Sequence, residues 1–216
     1  MLKKFVLLLL ILTSPLAISS EKWTLVSKQR GISLYELTNP PDRDMLPFRA
    51  EKVVNLPLRR LLYILVDYKN KSNWAPKLKS VKIHKKIGIN QFVFSEYYQV
   101  PWPFSDRQFL LKGKVELTEN YIHIMAHSIE DKKYFAKDHV RADVDVIDVK
   151  LYRESENETK IVFEFLGDMG GYIPTFVQNI IRKRWPNNFL EALENYAKKT
   201  EKVAHSDWEG LMNTFL

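Results

Sequence analysis

Residue types that do chemistry are present in this chain, but their spacing does not assemble a reaction. His123 and His127 stand four apart, the interval of a helical zinc pair. The glutamate of such a motif is missing and the segment alternates as a strand, so they read as sheet histidines and no metal is expected. Asp138-His139 and Ser105-Asp106 supply triad residue types without a nucleophile elbow or a glycine-rich oxyanion loop. No phosphate-cradling or dinucleotide-binding glycine pattern occurs, so no cofactor is expected. The absence of cysteine excludes disulfides, thiolate nucleophiles and cysteine metal ligands together. What remains is a pair of charges, Glu96 and Arg107, that strand alternation turns inward.

From Arg107 onward the odd positions Phe109, Leu111, Val115 and Leu117 are apolar, while the even ones carry Gln108, Lys112, Lys114 and Glu116. The odd set faces the core, so Arg107 points inward at the start of its strand. On the preceding strand Phe92, Phe94, Glu96 and Tyr98 share the more aromatic face. If the two strands pair through their short connection, Glu96 lies near Arg107. Buried charges rarely persist unpaired, so the two hold each other or one meets a polar group of a ligand. The connection is Pro101-Trp102-Pro103-Phe104-Ser105. Its prolines exclude both a helix and a central ladder, so Trp102 and Phe104 sit on a stiff loop. There they either gate a cavity or pack into the core.

The elements that position these residues follow from periodicity. Two short strands surround Gly31 within 23–37, and a third covers 48–54. Pro57 opens a helix in which Leu58, Leu61, Leu62 and Leu65 recur at helical spacing through Asp67. A second short helix is expected over 68–74, ending before Pro76. Between 78 and 166 the period is two, with strands at 81–87, 92–100, 107–117, 121–128, 140–152 and 160–166. Connections this short make them antiparallel neighbours. After Gly170-Gly171, an apolar stripe runs from Ile173 through Phe176, Val177, Ile180 and Ile181 to Trp185, Phe189, Leu193 and Tyr196. Pro174 suits its first turn, and Pro186 inside it predicts a kink. The expected fold class is α+β: one curved antiparallel sheet crossed by a long C-terminal helix.

Two stretches carry a resemblance. Pro101-Trp102-Pro103-Phe104-Ser105-Asp106-Arg107 resembles the proline-aromatic-proline-x-Ser-x-Arg signature of the StAR-related lipid-transfer (START) domain. Gly170-Gly171-Tyr172-Ile173-Pro174 is similar to the opening of that family's last helix, and the likeness extends over roughly 23–199. It implies the helix-grip (START/Bet v 1-like) fold, with a cavity for a single hydrophobic ligand, lipid or sterol-like. It also implies ligand contacts from Phe94, Glu96, Tyr98 and Phe109 on the strands. Trp102, Phe104 and Arg107 would add contacts at the loop, and Ile173, Phe176, Val177 and Ile180 on the last helix. The family often has an acidic residue where Glu96 lies and an aspartate after the arginine, where this chain has Gln108. Segment 130–139, with Tyr134 and Phe135, resembles its second omega loop. The wider helix-grip superfamily includes cyclases and hydrolases, so an enzyme acting on a bound hydrophobic substrate is the alternative reading. A ligand-responsive interaction protein is another, with Trp208, Leu211, Met212 and Phe215 of the tail 201–216 as its docking face.

The N-terminus reads as an export signal. Lys3 and Lys4 precede an apolar run over 5–12, and Ala17-Ile18-Ser19 supplies small residues for cleavage. The run is shorter than the ~20 residues a spanning helix needs. The expected division is a signal peptide at 1–20, a domain at 21–200 and the tail. The protein would be exported, to the periplasm of a Gram-negative host and otherwise secreted. Its formal charge of +7 suits attraction to anionic lipid headgroups or plain solubility. The lysines are scattered and no zinc or helix-turn-helix spacing appears, so nucleic acid is not an expected partner. The expected partners are a hydrophobic small molecule and, transiently, a membrane surface, met by a monomer. N-terminal sequencing of exported protein should begin at Ser20 or Glu21. Recovery of an uncut chain in the membrane pellet would show an anchor instead.

Overall fold

A computed structural model describes residues 23–39 and 45–200. The expected signal peptide and the tail 201–216 lie outside the described residues. β1 (Trp23–Gln29) and β2 (Ile32–Leu37) form a hairpin about Arg30 and Gly31. Both turn residues have positive φ, 52° and 73°, the backbone that matches two right-twisted strands. β3 (Phe48–Val54) follows, then α1 (Leu58–Val66) behind Pro57. The helix expected over 68–74 is instead a single 3₁₀ turn at Lys71–Asn73. Asp67 explains the difference, since its carboxylate accepts from the Asn70 backbone and side-chain N–H groups at 3.3 and 2.7 Å. Such local bonds compete with helix propagation in an Asn- and Ser-rich segment.

β4 (Leu78–Ile87), β5 (Gln91–Tyr98), β6 (Arg107–Leu117), β7 (Tyr121–Ser128), β8 (Val140–Ser155) and β9 (Glu158–Asp168) complete one nine-stranded sheet. Its order is β1-β2-β3-β9-β8-β7-β6-β5-β4. All pairings are antiparallel except one. Arg107–Phe109 of β6 lie parallel to Val140–Ala142 of β8, where β7 has already ended. Short connections predict only antiparallel neighbours; this contact joins strands that become adjacent beyond the end of the one between them.

The outer face of β6 also departs from simple alternation. Gln108 and Leu110 belong to the outward set yet are buried. Segment 130–139 folds back over them: Gln108 Nε2 donates to the Tyr134 carbonyl at 2.7 Å, and the Ala136 N–H donates to Gln108 Oε1 at 2.8 Å. Tyr134 stacks on His84 at 4.1 Å between centroids, and the Arg141 guanidinium lies 3.8 Å from the Phe135 ring centre. Both aromatics therefore pack on the outside of the sheet.

α2 (Thr175–Lys199) crosses the sheet and runs through the buried Pro186. Its C-terminal half is the anchored half. Phe189, Leu190, Leu193 and Ala197 are buried there, and each large side chain of this kind contributes about 1.5–3 kcal/mol. Arg60 of α1 caps the helix end, donating to the Ala197 carbonyl at 2.7 Å and to the Thr200 carbonyl. Lys52 of β3 pairs with Glu194 at 2.6 Å, with side chains only 9% and 15% exposed. No helix among the described residues is long and apolar enough to cross a membrane.

The Glu194 carboxyl gives a test of this anchor. Burial pushes its pKa up, but hydrogen bonds from Lys198 and Lys52 prevail and hold it below its ordinary 4.5. A depressed carboxylate contributes stability that is complete above 4.5 and disappears as pH falls through the folded value. Glu194→Gln should cost about 2 kcal/mol at pH 7, between the values for exposed and fully buried pairs. The Tm gap to the parent should close as the pH is lowered below 4.5, and a gap independent of pH would remove the ion pair from the anchor.

Candidate functional site

Between the concave face of the sheet and α2 lies a cavity of about 1200 Å³. Its wall is apolar because alternate residues of six strands, β4 to β9, point into it. Phe94 of β5, Phe109 and Leu111 of β6, Val149 of β8 and Phe163 of β9 are examples. α2 contributes two rows spaced by four. Val177, Ile181, Trp185 and Phe189 face inward, while Phe176, Ile180, Arg184 and Asn188 border the opening. Gly113 on β6 is part of the shape, since a Cβ there would stand 2.9 Å from the Phe94 ring.

The opening is edged by apolar groups facing water. Trp102 is 92% exposed, Phe176 64% and Ile89, on the β4–β5 turn, 51%. Phe104 is half-buried beside them and also lines the cavity. The loop that carries Trp102 and Phe104 is closed at its neck. The Val100 N–H donates to Asp106 Oδ1 at 3.1 Å, and Lys79 Nζ donates to Asp106 Oδ2 at 2.7 Å. The bond from Lys79 holds the Asp106 carboxyl below its ordinary pKa despite some burial, with the Val100 N–H adding to it.

The inward charges are placed differently from the sequence-based expectation. Register sets Glu96 opposite Phe109 and Arg107 opposite Tyr98, so the two are on one face. They do not pair. Glu96, 4% exposed, is held by Lys71 Nζ at 2.5 Å on Oε1 and by the Tyr98 hydroxyl at 2.8 Å on Oε2. Burial, reinforced by the neighbouring Glu96 carboxylate, pushes the Tyr98 phenol well above its ordinary pKa. Arg107, 2% exposed, turns toward the chain just before α2. Its Nε and Nη2 donate to the Met169 and Gly170 carbonyls at 3.1 and 3.0 Å, and Nη1 to the Ser105 carbonyl. Burial lowers its pKa while Asp106 and Asp168 oppose that shift.

Of the residues singled out in the sequence, Phe94, Glu96, Tyr98, Trp102, Phe104, Phe109, Phe176, Val177 and Ile180 line one cavity. Arg107 and Ile173 are buried outside its lining. Arg107 is spent on backbone carbonyls that no strand partner satisfies, which explains its absence from the wall. Lys71 is a lining residue that sequence reasoning missed. It lies in the polar run Lys69-Asn70-Lys71-Ser72-Asn73, where periodicity marks no inward face. The histidines of the described residues are elsewhere: His123 bonds Asp148 at 2.7 Å, His84 bonds the buried Ser95 at 2.8 Å, and neither borders the cavity. No cluster suited to a metal ion occurs among the described residues.

Comparison with known proteins gives a consistent result. The sequence profile of the START domain matches residues 10–199. The phosphatidylcholine transfer protein of Bos taurus is 24% identical over 198 residues, covering 84% of this chain and 89% of its own. An uncharacterised protein of Pseudomonas aeruginosa is 22% identical over 182 residues, covering 83% and 89%. The crystal structure of human STARD10 superposes with a TM-score of 0.76 at 17% identity, over 90% of this chain and 78% of that one.

The position of Arg107 makes a direct prediction. Arg107→Met strips three carbonyls of their donor, which should cost about 3 kcal/mol or more and lower Tm by roughly 6–12 °C. Arg107→Lys should recover only part of the loss, because one ammonium cannot reproduce the planar fork. An unchanged Tm in the methionine variant would show that these bonds are not structural.

Proposed function

The chain belongs to the START domain family, whose members bind hydrophobic lipid ligands, and on that premise we propose that it takes one lipid into the cavity and carries it between membranes. The observation that carries this reading is the cavity itself, apolar on nearly every wall and bordered by exposed aromatic groups. Burying the ligand's apolar surface supplies the affinity, at ~25 cal/mol per Å² before ordering costs. Phe94, Tyr98, Phe109 and Val177 contact the enclosed chains. The mechanism is physical: nothing in the ligand is made or broken. The position of the histidines supports carriage over conversion, since those of the described residues stand away from the cavity.

Exchange with a membrane takes place at the opening. Trp102, Ile89 and Phe176 present apolar groups there, and Lys77 and Arg184 add positive charge beside them. Tryptophan favours the membrane interface, and basic side chains are drawn to anionic headgroups. In this reading the rim seats on the bilayer, Trp102 and Phe104 enter the interface, and the ligand passes between their loop and the first half of α2. The leader expected at 1–20 sets this activity outside the cytoplasm, with the monomer as the working unit.

Trp102→Ala with Phe104→Ala should slow lipid exchange between anionic vesicles about tenfold or more, from the lost burial of two aromatic rings. Tm should stay within about 2 °C, as for surface substitutions. A variant that melts well below the parent yet exchanges lipid at the parent's rate would show these rings to be core and the gate to be elsewhere.

A further inference from the structure

The inward row of β6 has a gap. Phe109, Leu111 and Val115 line the cavity with apolar side chains, and Gly113 stands bare among them. A glycine weakens a strand, so one in the interior marks a bulge or a close approach. There is no bulge here, because the ladder runs unbroken from Phe92 through Gly113 to Ala126. Nor is φ positive, so the backbone is one that any residue adopts. The approach is that of Phe94. A Cβ at Gly113 would stand 2.9 Å from its ring carbon Cε1, whereas the Met125 carbonyl oxygen on β7 lies at an ordinary 3.6 Å. Phe94 is opposite Leu111 in the register, and its ring leans along the diagonal to reach the bare backbone.

This ring is also the loose one of the wall. Tyr98 and Phe109 meet edge to face at 5.1 Å, and Phe163, Trp185 and Phe189 form a group with centroids 5.0, 5.3 and 5.8 Å apart. Phe94 has no ring partner among the described residues, is half-buried and borders the cavity. A side chain at Gly113 would displace it, and the space open to it is the cavity itself. Its place along the strands gives that movement a consequence. Tyr98 and Phe109 lie on the side of the Pro101–Ser105 loop, and Phe92, Val115 and Ile124 on the other. Gly113 is six residues past Arg107, about 20 Å along β6. A hydrocarbon chain that enters beside the loop passes Phe94 before it reaches that second stretch of wall.

We infer that the Phe94 ring, seated on the bare backbone of Gly113, sets the length of hydrocarbon chain that the cavity accepts. This deepens the lipid reading above and rests on it. A ring held against Gly113 leaves the far stretch open to the end of a long chain, and a ring lifted from it closes that stretch. The selection is by length alone. Ile83 and Leu111, opposite Phe94 on either side, are apolar, so this part of the wall distinguishes chains only by how much of them it buries.

The test is uptake by the purified full chain from fluid vesicles of phosphatidylethanolamine, phosphatidylcholine and phosphatidylglycerol. Each lipid carries dimyristoleoyl, dipalmitoleoyl, dioleoyl or dieicosenoyl chains in equal amounts, and loading is read by native mass spectrometry after reisolation. The parent should favour the longer members of the series. Gly113→Ala should lower loading of the longest member the parent takes by about tenfold relative to its shorter neighbour, the scale of two methylenes left unburied. Adding Phe94→Ala to Gly113→Ala should restore the long members, because the methyl then has no ring to displace. Phe94→Trp enlarges the ring over an unaltered glycine and should also shorten the preference; it serves as the test where Gly113→Ala does not fold. An unaltered length distribution in Gly113→Ala or Phe94→Trp, or a shortening by Gly113→Ala that persists without the ring, overturns this inference while leaving lipid binding intact. Equal loading of all lengths by the parent does the same. Uptake of none of these lipids by the parent overturns the lipid reading and this inference with it.

Discussion

The arrangement of the opening depends on one buried guanidinium. Arg107 begins β6 where the ladder has run out, and it joins two segments that share no strand pairing, through the Ser105 carbonyl on one side and the Met169 and Gly170 carbonyls on the other. The Pro101–Ser105 loop and the approach to α2 are thereby fixed relative to each other. A lysine presents one point charge, whereas the planar fork reaches all three acceptors at once. Gly170 completes the junction. Its φ of +69° excludes ordinary side chains, and a Cβ there would stand 1.9 Å from the Arg141 carbonyl oxygen. The bend before α2 is set by that close approach, and with it the line along which the helix overhangs the opening.

A sheet that encloses about 1200 Å³ gives up packing that a filled core would have, and empty apolar volume is destabilising. The compensation is local. α1, the C-terminal half of α2 and Trp74 pack densely at the cavity's closed side, against Phe163, Trp185 and Phe189 of its wall. The outer face of the sheet adds a charge network, with Arg49 between Glu51 and Glu164, Lys160 on Glu51, and Asp148 between Lys150 and His123. Stability and function are thus divided along one helix. Its last turns hold the domain together, and its first turns, with Phe176 and Ile180 facing water, are spared for the opening. His123, which looks chemical in the sequence, belongs to this network on the outer face.

Much of the fold was legible because its cause is local. The period of two in β6 and β7, the glycine at the β1–β2 turn, Pro57 before α1 and the stripe of α2 each state their structure within a few residues. The proline-bracketed Trp102 likewise stated a stiff loop, but whether its ring is exposed or packed in the core was decided only by the structure, which leaves it facing water. One expectation that failed needed information from elsewhere in the chain, and another a local bond that periodicity does not register. Gln108 reads as an outward polar residue, and only the return of segment 130–139 buries it and gives each end of its amide a backbone partner. The Tyr68–Trp74 helix was lost to a single carboxylate, Asp67, bonding Asn70.

By itself the sequence determined that Glu96 and Arg107 both face inward, because side chains alternate strictly along a strand whatever lies opposite. It also determined that each needs a partner, because a buried charge without one is too costly to keep. Which partner each takes was decided only in three dimensions. Arg107 is drawn to carbonyls left unpaired where β6 begins, beside the Gly170 turn 63 residues away in the chain. Glu96 is met by Lys71, delivered by a 3₁₀ turn whose sequence has no periodicity to show a direction. Alternation is a property of one strand and can be counted along it; the pairing of two charges depends on where separate segments converge, and that is set by the packing of the whole sheet.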